Sequence, residues 1–340
     1  MNEWTVAIGV DTHKRTHTAA ALDRFGNQLG LLEIEASELG YRRLWEWASG
    51  LGGCAFAIEG AGSYGAGLAR FLVARQAAVF ECERPRRGDR RRDKNDQRDA
   101  VLAAGRLLAP AEGLSLLRGD GVRETLRVLL LERRSADEAR TAALNQLHSL
   151  AVTAAPACCE RLRALKGMPL ARAAAALGAD ANETAAPVIE VLRRLGRRVL
   201  ALTEELRTAE RQIERLLAEH AAPLLAECGV GPITAAQLLV SSGDPKRMRS
   251  EASFAALAGT SPVEASSGPI KRHRLNRGGD RQLNRALHMI SLNRCRYHAE
   301  TAAYFQRKLA QGKTKREARR CVKRMLARRF YQQLRALPTT

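Results

Sequence analysis

The sequence lacks an apolar run long enough to span a bilayer, which takes about 18 residues. Its first residues, MNEWTVAIGVDTHK, contain no basic stretch followed by an apolar one, so we expect no signal peptide and no membrane partner. The seven cysteines are scattered and include no Cys-x-x-Cys pair. This pattern argues against a disulfide framework and a zinc knuckle, and it predicts a reducing, cytoplasmic setting.

Negative charge is scarce relative to positive charge, with 36 Asp and Glu against 56 Lys and Arg and a formal net charge of +20. Arginine supplies most of the positive charge, and its planar guanidinium binds phosphate oxygens in pairs. We therefore expect a nucleic-acid partner whose affinity falls as the salt concentration rises. Aromatic residues make up only 4%, so base stacking is not expected to dominate that contact. Hydrophobic residues, at 45%, predict a folded chain with a buried core.

Residues 1–110 alternate between strand-like and helix-like patterns. Three apolar or β-branched runs come first, and two further strands then alternate with helices. The predicted strands are 4–11, 17–23, 27–36, 54–60 and 77–83, and a helix follows each of the last three. This order predicts an α/β domain, and the carboxylates described below narrow the choice to a RuvC-like or ribonuclease-H-like sheet.

Residues 111–222 are predicted to form a helical, heavily charged middle region. Its second long helix repeats apolar residues at a spacing of about 3.5 positions, at Val188, Val191, Leu195, Val199, Leu202, Leu206 and Ile213. A narrow stripe of this kind favours a coiled coil over a compact core. An ordinary bundle helix is the alternative interpretation.

Residues 223–340 are predicted to form a mainly α C-terminal domain. The tetrapeptide GVGP at 229–232 places two glycines and a proline before a helix. This is the pattern of a helix-hairpin-helix, whose turn amides and helix N-terminus can bind a DNA phosphate. A plain helix-loop-helix turn fits the same residues.

Four carboxylates lie where a sheet and a neighbouring helix can bring them together. Asp11 ends the first predicted strand and Glu59 ends the fourth, while Asp96 and Asp99 lie on one face of the helix after the fifth. Oxygen ligands in this number suit Mg²⁺ or Mn²⁺, and two such ions about 4 Å apart serve phosphoryl transfer. The alternative is a solvated charged face that nearby arginines neutralise, and we assign Asp93 to that role.

Two blocks of motifs resemble those of a known family. GVDTHK (9–14), AIEGAGSYGAGLARFL (57–72) and KNDQRDA (94–100) resemble the DEDD-type transposases of insertion sequences, the IS-one-ten family that includes the Piv DNA invertase. GVGPITAAQLLV (229–240) and NRGGDRQLNRAL (276–287) resemble its C-terminal transposase domain. By motif position, the resemblance implies that the four catalytic acids of the family correspond to Asp11, Glu59, Asp96 and Asp99. The family more often has Thr or Ser where this chain has Asn95.

The resemblance also implies a nucleophilic serine in the SSG of EASSGPIKRHR, with Ser267 as the first choice and Ser266 as the alternate. On the residues alone, SSG is more often a turn or a helix cap, and only the resemblance favours a nucleophile. Basic side chains that follow the serines are expected to offset phosphate charge, and they are Lys271, Arg272, Arg274, Arg277 and Arg281. The resemblance further implies DNA partners (element ends and target), a structured guide RNA encoded by the element, and a homo-oligomer, either dimer or tetramer.

The sequence therefore predicts a nucleoid-associated DNA transposase or recombinase with a metal-binding acidic tetrad and a serine nucleophile. A RuvC-like junction nuclease, which needs metal but forms no covalent intermediate, is the alternative. A basic DNA-organising protein without catalysis is a third hypothesis. We assign no catalytic role to His13 or Lys14, and we interpret Asp280 as a helix cap or a ligand.

Overall fold

The computed structural model divides the chain into two compact units, Met1–Asp120 and Gly121–Thr340. Within the part of the chain that the structure describes, no helix is both long and apolar enough to cross a membrane. The predicted division into 1–110, 111–222 and 223–340 stays a prediction. The described residues are 4–82, 95–108, 115–116, 121–153, 158–178, 186–243, 248, 250–265, 273–274, 276 and 278–337.

A mixed six-stranded sheet forms the centre of the first unit, in the order β3-β2-β1-β4-β5-β6. Strand β2 is antiparallel to β1 and β3, whereas β4 is parallel to β1 and β5. The predicted α/β class is confirmed, and the RuvC-like assignment stays a prediction. The strands are β1 (Val6–Thr12), β2 (Thr16–Asp23), β3 (Gln28–Glu35), β4 (Cys54–Glu59), β5 (Ala78–Cys82) and β6 (Ser115–Leu116), and the helices are α1 (Glu38–Leu51), α2 (Ala66–Val73) and α3 (Asp96–Leu108).

Strand β1 is buried along its whole length because helices cover both faces of the sheet. On one face, large side chains such as Ile8 and Phe56 pack with residues of α1 and α2. On the other face, small residues such as Ala7 and Ala57 pack with Ala104 of α3. The small residues let α3 lie close to the sheet.

Helices dominate the second unit, as predicted. One short ribbon interrupts them, in which β7 (Val263–Glu264) pairs antiparallel with β8 (His273–Arg274). The helices are α4 (Val122–Thr153), α5 (Cys158–Arg163), α6 (Gly167–Ala175), α7 (Ala186–His220), α8 (Ala222–Leu225), α9 (Pro232–Ser242), α10 (Glu251–Leu257), α11 (Arg281–Tyr297), α12 (Ala299–Ala310) and α13 (Lys315–Ala336).

The buried face of α7 differs from the predicted stripe. Val199 is buried as expected, but Val191 is 44% exposed and Ile189 takes the inward position instead. The reason is the contact with α6, because a Cβ on Gly196 would lie 2.6 Å from the carbonyl oxygen of Ala171. Helix α7 therefore turns its glycine face toward α6, and the coiled coil stays a prediction.

A second core joins the end of α7 to α9, α10, α11 and α13, with Phe254 and Phe330 fully buried in it. Before α9, Gly229 has φ +81 and Gly231 occupies the N-cap position. The Thr234 hydroxyl accepts a hydrogen bond from the Gly231 N–H at 3.0 Å and so closes the first turn. The glycines thus make the turn that precedes α9, and the helix-hairpin-helix function stays a prediction.

Candidate metal centre and cationic cavity

Asp11 and Glu59 lie at the same edge of the sheet. Val10 of β1 pairs with Ile58 of β4 in parallel register, and each acid comes directly after one of these paired residues. The hydroxyl of Thr12 donates a hydrogen bond of 2.6 Å to the backbone oxygen of Glu59. The strand ends are thereby tied together at the two acids.

Helix α3 brings Asp96 to this edge because Gly9 has no side chain. A Cβ on Gly9 would lie 2.0 Å from the carbonyl oxygen of Ala100 and 2.2 Å from the backbone nitrogen of Ala104. The side chain of Asn95 starts the helix by accepting a hydrogen bond of 3.0 Å from the N–H of Gln97. Asn is a good N-cap, as Thr and Ser are, so this departure from the family pattern preserves the start of the helix.

His13 lies between two of the acids. Its Nε2 is 3.2 Å from Oδ2 of Asp11 and 3.3 Å from Oδ1 of Asp96. One potential ligand atom from each of these three residues lies within 4.8 Å of the others. The Asp11 side chain is only 10% exposed, whereas His13 and Asp96 are about half exposed, so the cluster opens to solvent.

Burial raises the pKa of Asp11 above its ordinary value of 3.8. Proximity to His13 opposes this shift, while the charges of Asp96 and Asp99 add to it. Both α3 carboxylates therefore act on Asp11, as their spacing on one helix face predicts. The side chains of Asp11, His13 and Asp96 could hold a metal ion, and a bound cation would relieve the repulsion among the carboxylates.

The sequence analysis assigns no catalytic role to His13, yet its side chain is part of the cluster. The available signal was the DTH tripeptide at the end of β1, because His13 directly follows the last residue of the strand and lies two positions from Asp11. Asp11, Asp96 and His13 are brought together, Asp99 acts on Asp11 through its charge, and Glu59 shares the strand edge.

The predicted residues of the second unit are only partly covered by the structure. Ser266, Ser267, Lys271, Arg272 and Arg277 lie outside the described residues, as Asp93 does in the first unit. Arg281 is the first residue of α11 and is exposed. Arg274 belongs to β8.

Asp280 caps helix α11. Its carboxylate accepts hydrogen bonds from the N–H groups of Gln282 at 2.7 Å and Leu283 at 3.0 Å. It also accepts one of 2.5 Å from the hydroxyl of Ser241 in α9. These contacts confirm the cap interpretation and give Asp280 a structural role between two helices.

A cavity of about 580 Å³ opens beside the β7–β8 ribbon. Residues of the ribbon, of the turn before it, and of α12 and α13 line the cavity. Among the described residues that line it, six are Lys or Arg and one, Glu317, is acidic. Of the basic residues predicted from the sequence, Arg274 lines this cavity.

Two family models match the chain. The model of the IS110 DEDD transposases, described as "Transposase", matches residues 8–156, and the one described as "Transposase IS116/IS110/IS902 family" matches residues 222–306. The first match includes the whole acidic cluster, and the second includes the β7–β8 ribbon and α11.

Curated relatives agree with these matches. The chain is 38% identical over 121 residues to "Insertion element IS110 uncharacterized 43.6 kDa protein" of Streptomyces coelicolor, which covers 35% of this chain and 30% of the relative. It is 28% identical over 169 residues to "Probable family 20 transposase" of Pseudomonas aeruginosa, covering 45% and 50%. It is 32% identical over 132 residues to "Insertion element IS900 uncharacterized 42 kDa protein" of Mycobacterium paratuberculosis, covering 38% and 33%. The aligned regions thus span half of these relatives or less.

Proposed function

Because the chain belongs to the IS110 (IS-one-ten) family of insertion-sequence transposases, we propose that it cuts and rejoins DNA strands with a metal-binding acidic site and a serine nucleophile. The observation that carries this proposal is the convergence of Asp11 and Asp96 on His13 from two different elements. Among the described residues, His13 offsets the charge of these carboxylates only in part, and such a cluster suits a divalent cation.

The proposed metal ligands are Asp11, Glu59, Asp96 and Asp99. Strand ends hold the first two, and α3 holds the others, so the backbone fixes their positions before metal binds. A bound Mg²⁺ or Mn²⁺ would supply Lewis-acid stabilisation of charge on the scissile phosphate. His13, between Asp11 and Asp96, would add an imidazole ligand or orient the two carboxylates.

The proposed nucleophile is Ser267, with Ser266 as the alternate. Attack by the hydroxyl forms an Oγ–P ester and breaks one P–O bond of the DNA strand, and the proton lost by the serine balances the one gained by the departing deoxyribose oxygen. Attack by a second deoxyribose hydroxyl reverses both steps on another strand. One phosphodiester is thereby exchanged for another, and no external energy source is needed.

The proposed partners are DNA, a structured RNA encoded by the element, and further copies of this chain as a dimer or tetramer. The net charge of +20 supports a polyanion partner, and the family supports DNA. We further propose that the protein acts in the cytoplasm on nucleoid DNA. The RNA and the oligomer rest on the resemblance alone.

The test is a cleavage assay with Mg²⁺ and element-end DNA, with and without the RNA encoded beside the gene. Products are run on a denaturing gel before and after protease digestion. Wild type is expected to give a slow band that protease removes, and Ser267→Ala is expected to lose it. Ser266→Ala is the matched control, because it removes the same hydroxyl from the neighbouring position.

A RuvC-like nuclease without a covalent intermediate is the second candidate. The favouring observation is that Asp11, His13 and Asp96, and with them all four proposed ligands, lie within the first unit, and hydrolysis needs no serine from the second. Free nicked ends in wild type and in both serine variants would establish this alternative and return the serines to a structural role. DNA binding without any cleavage in Mg²⁺ or Mn²⁺ would contradict both candidates.

A further inference from the structure

Lys323 is a buried cation that has no anionic partner among the residues that the structure describes. The residue is only 7% exposed, and its ammonium donates one hydrogen bond of 2.7 Å, to the amide oxygen of Asn284. Among the described residues, no carboxylate lies within ion-pair distance of it. A buried charge without a counterion costs free energy unless a ligand supplies the opposite charge.

Other cations of the cavity are neutralised by neighbouring acids. Glu251 contacts Arg324 at 3.3 Å and Arg328 at 2.6 Å, and Arg320 lies 3.7 Å from Glu317. Within the described part of the chain, Lys323 therefore differs from these arginines, because its partner is a neutral amide. Burial lowers the pKa of Lys323, and the charge of Arg320 adds to this shift, as expected for an ammonium that an anion would stabilise.

Asn284 holds the lysine in place. Its amide nitrogen donates to the backbone oxygens of Ala258 at 2.6 Å and Gly259 at 3.2 Å, which orients its amide oxygen toward the ammonium. The loops around it pack through glycines, since a Cβ on Gly279 would lie 2.4 Å from the carbonyl oxygen of Leu257. Asn284, held by these two backbone oxygens, thus positions its amide oxygen for Lys323.

We propose that Lys323 binds a phosphate of a nucleic-acid strand within this cavity, as a binding residue that Asn284 positions. The inference rests on the proposed function, because the family supplies the nucleic acid. The described residues of the cavity include six basic side chains and one acid, and Tyr304 lines its wall. Strands β7 and β8 bracket residues 266–272 along the chain, which include the proposed nucleophile.

The binding test uses the full chain and a fluorescently labelled element-end duplex in EDTA, so that no cleavage is required. Lys323→Gln is expected to weaken binding about 10-fold and to reduce the slope of log affinity against log salt by about one. Lys315→Gln is the matched control, because it removes the same charge from an exposed position on the same helix. Its affinity is expected to stay within about twofold of wild type.

A thermal unfolding measurement separates ligand binding from a structural role. Lys323→Met is expected to unfold at the same temperature as the free wild-type protein or higher, because it removes an unpaired buried charge. A lower unfolding temperature together with unchanged duplex affinity would overturn the proposal. Equal losses of affinity in Lys323→Gln and Lys315→Gln would also overturn it, since any lysine would then serve.

A third arm distinguishes a strand phosphate from a free anion. Inorganic phosphate is titrated into wild type and Lys323→Gln while unfolding is followed. If phosphate stabilises wild type alone and Lys323→Gln still binds the duplex normally, the cavity takes a free anion and the proposal fails. Because these measurements need no metal, a wild type that binds but never cleaves would contradict the proposed function and leave this inference standing.

Discussion

Two acids, one in each unit, are almost equally buried and have opposite pKa shifts. The side chain of Asp11 is 10% exposed and that of Glu227 is 11% exposed. Burial raises the pKa of Asp11, and the charges of Asp96 and Asp99 raise it further. Burial would also raise the pKa of Glu227, but hydrogen bonds from Arg329 and Gln333 outweigh it and lower the pKa below 4.5.

Basic partners on two helices surround Glu227. Arg294 of α11 donates to its carboxylate at 3.0 Å, and Arg329 of α13 donates twice, at 2.9 and 2.6 Å. Gln333 donates as well. These contacts connect the turn before α9 to helices α11 and α13.

The difference teaches how to separate a structural acid from a functional one. Glu227 finds its counter-charges inside the protein, so its ionised form stabilises the fold. Asp11 finds other acids, and His13 offsets them only in part, so its ionised form calls for a ligand cation. Burial alone does not distinguish the two residues, whereas the sign of the neighbouring charges does.

The largest expected effect tests the functional acid. Asp11→Asn should reduce Mg²⁺-dependent cleavage by at least about 1,000-fold, because it removes a charge from the proposed metal site. DNA affinity measured in EDTA should remain, and stability without metal should be equal or higher. Glu46→Gln is the control, since it changes an exposed acid of α1 in the same unit. Full cleavage by Asp11→Asn would exclude Asp11 from the site.

The next prediction tests the structural acid. Glu227→Gln should lower the free energy of unfolding by about 3 kcal/mol at neutral pH, because two arginines lose their buried partner. The pKa of Glu227 is lowered in the fold, so its stabilisation is present above the unfolded value near 4.5 and is lost as pH falls through the folded value. Urea unfolding from pH 7 to 3 should show the two proteins converge.

Glu204→Gln is the matched control for Glu227, because Glu204 pairs with Arg211 on an exposed face of α7. Its unfolding curve should match wild type. If Glu227→Gln were as stable as wild type at neutral pH, the contacts of Glu227 with the arginines would not stabilise the fold. Glu227 would then not be a structural acid, and the contrast with Asp11 would fail.

A smaller effect is expected where α3 lies on β1. Gly9→Ala should cost about 2 kcal/mol of stability, because its Cβ would overlap the backbone of Ala100 and push the helix away. Cleavage should fall with it, since Asp96 starts that helix. Gly105→Ala is the control: nothing lies within 4 Å of its Cβ position, and loss of a helical glycine should stabilise by up to about 1 kcal/mol. Urea unfolding measures the stability of Gly9→Ala, and the Mg²⁺ cleavage assay measures its activity. If both matched wild type, the close packing of α3 on β1 would be contradicted.

The smallest effect concerns the start of α3. Asn95→Ala should lower stability by about 1 kcal/mol, because the N–H of Gln97 loses its side-chain acceptor. Asn95→Ser should stay close to wild type, since serine caps equally well and fits the family pattern. Urea unfolding of the two variants measures this difference, and equal losses would mean that Asn95 acts through another contact.

Sequence patterns predicted the strands and helices well, because secondary structure depends mainly on residues that are close in the chain. Strands β1 to β5 begin and end within two residues of their predicted positions, whereas β6 (Ser115–Leu116) was not predicted. Three-residue spacing placed Asp96 and Asp99 on one helix face, because helical geometry alone sets that relation. His13 was missed because its nearness to Asp96 depends on how closely α3 approaches β1.

The apolar stripe of α7 is a second case in which a contact between distant residues could not be predicted from the sequence. Apolar spacing predicted a helix correctly, yet Val191 is exposed because the contact with α6 runs through Gly196. A helix offers several possible faces, and only its neighbours decide which one is buried.

The sequence by itself determined the α/β and helical units, the family motifs and the excess of positive charge, because these follow from periodicity, residue type and composition. Only the tertiary structure decided which charges meet. It placed His13 between two acids, surrounded Glu227 with arginines and gave Lys323 the amide of Asn284 as its hydrogen-bond acceptor. Electrostatic energies depend on distances between residues far apart in the chain, and folding alone sets those distances.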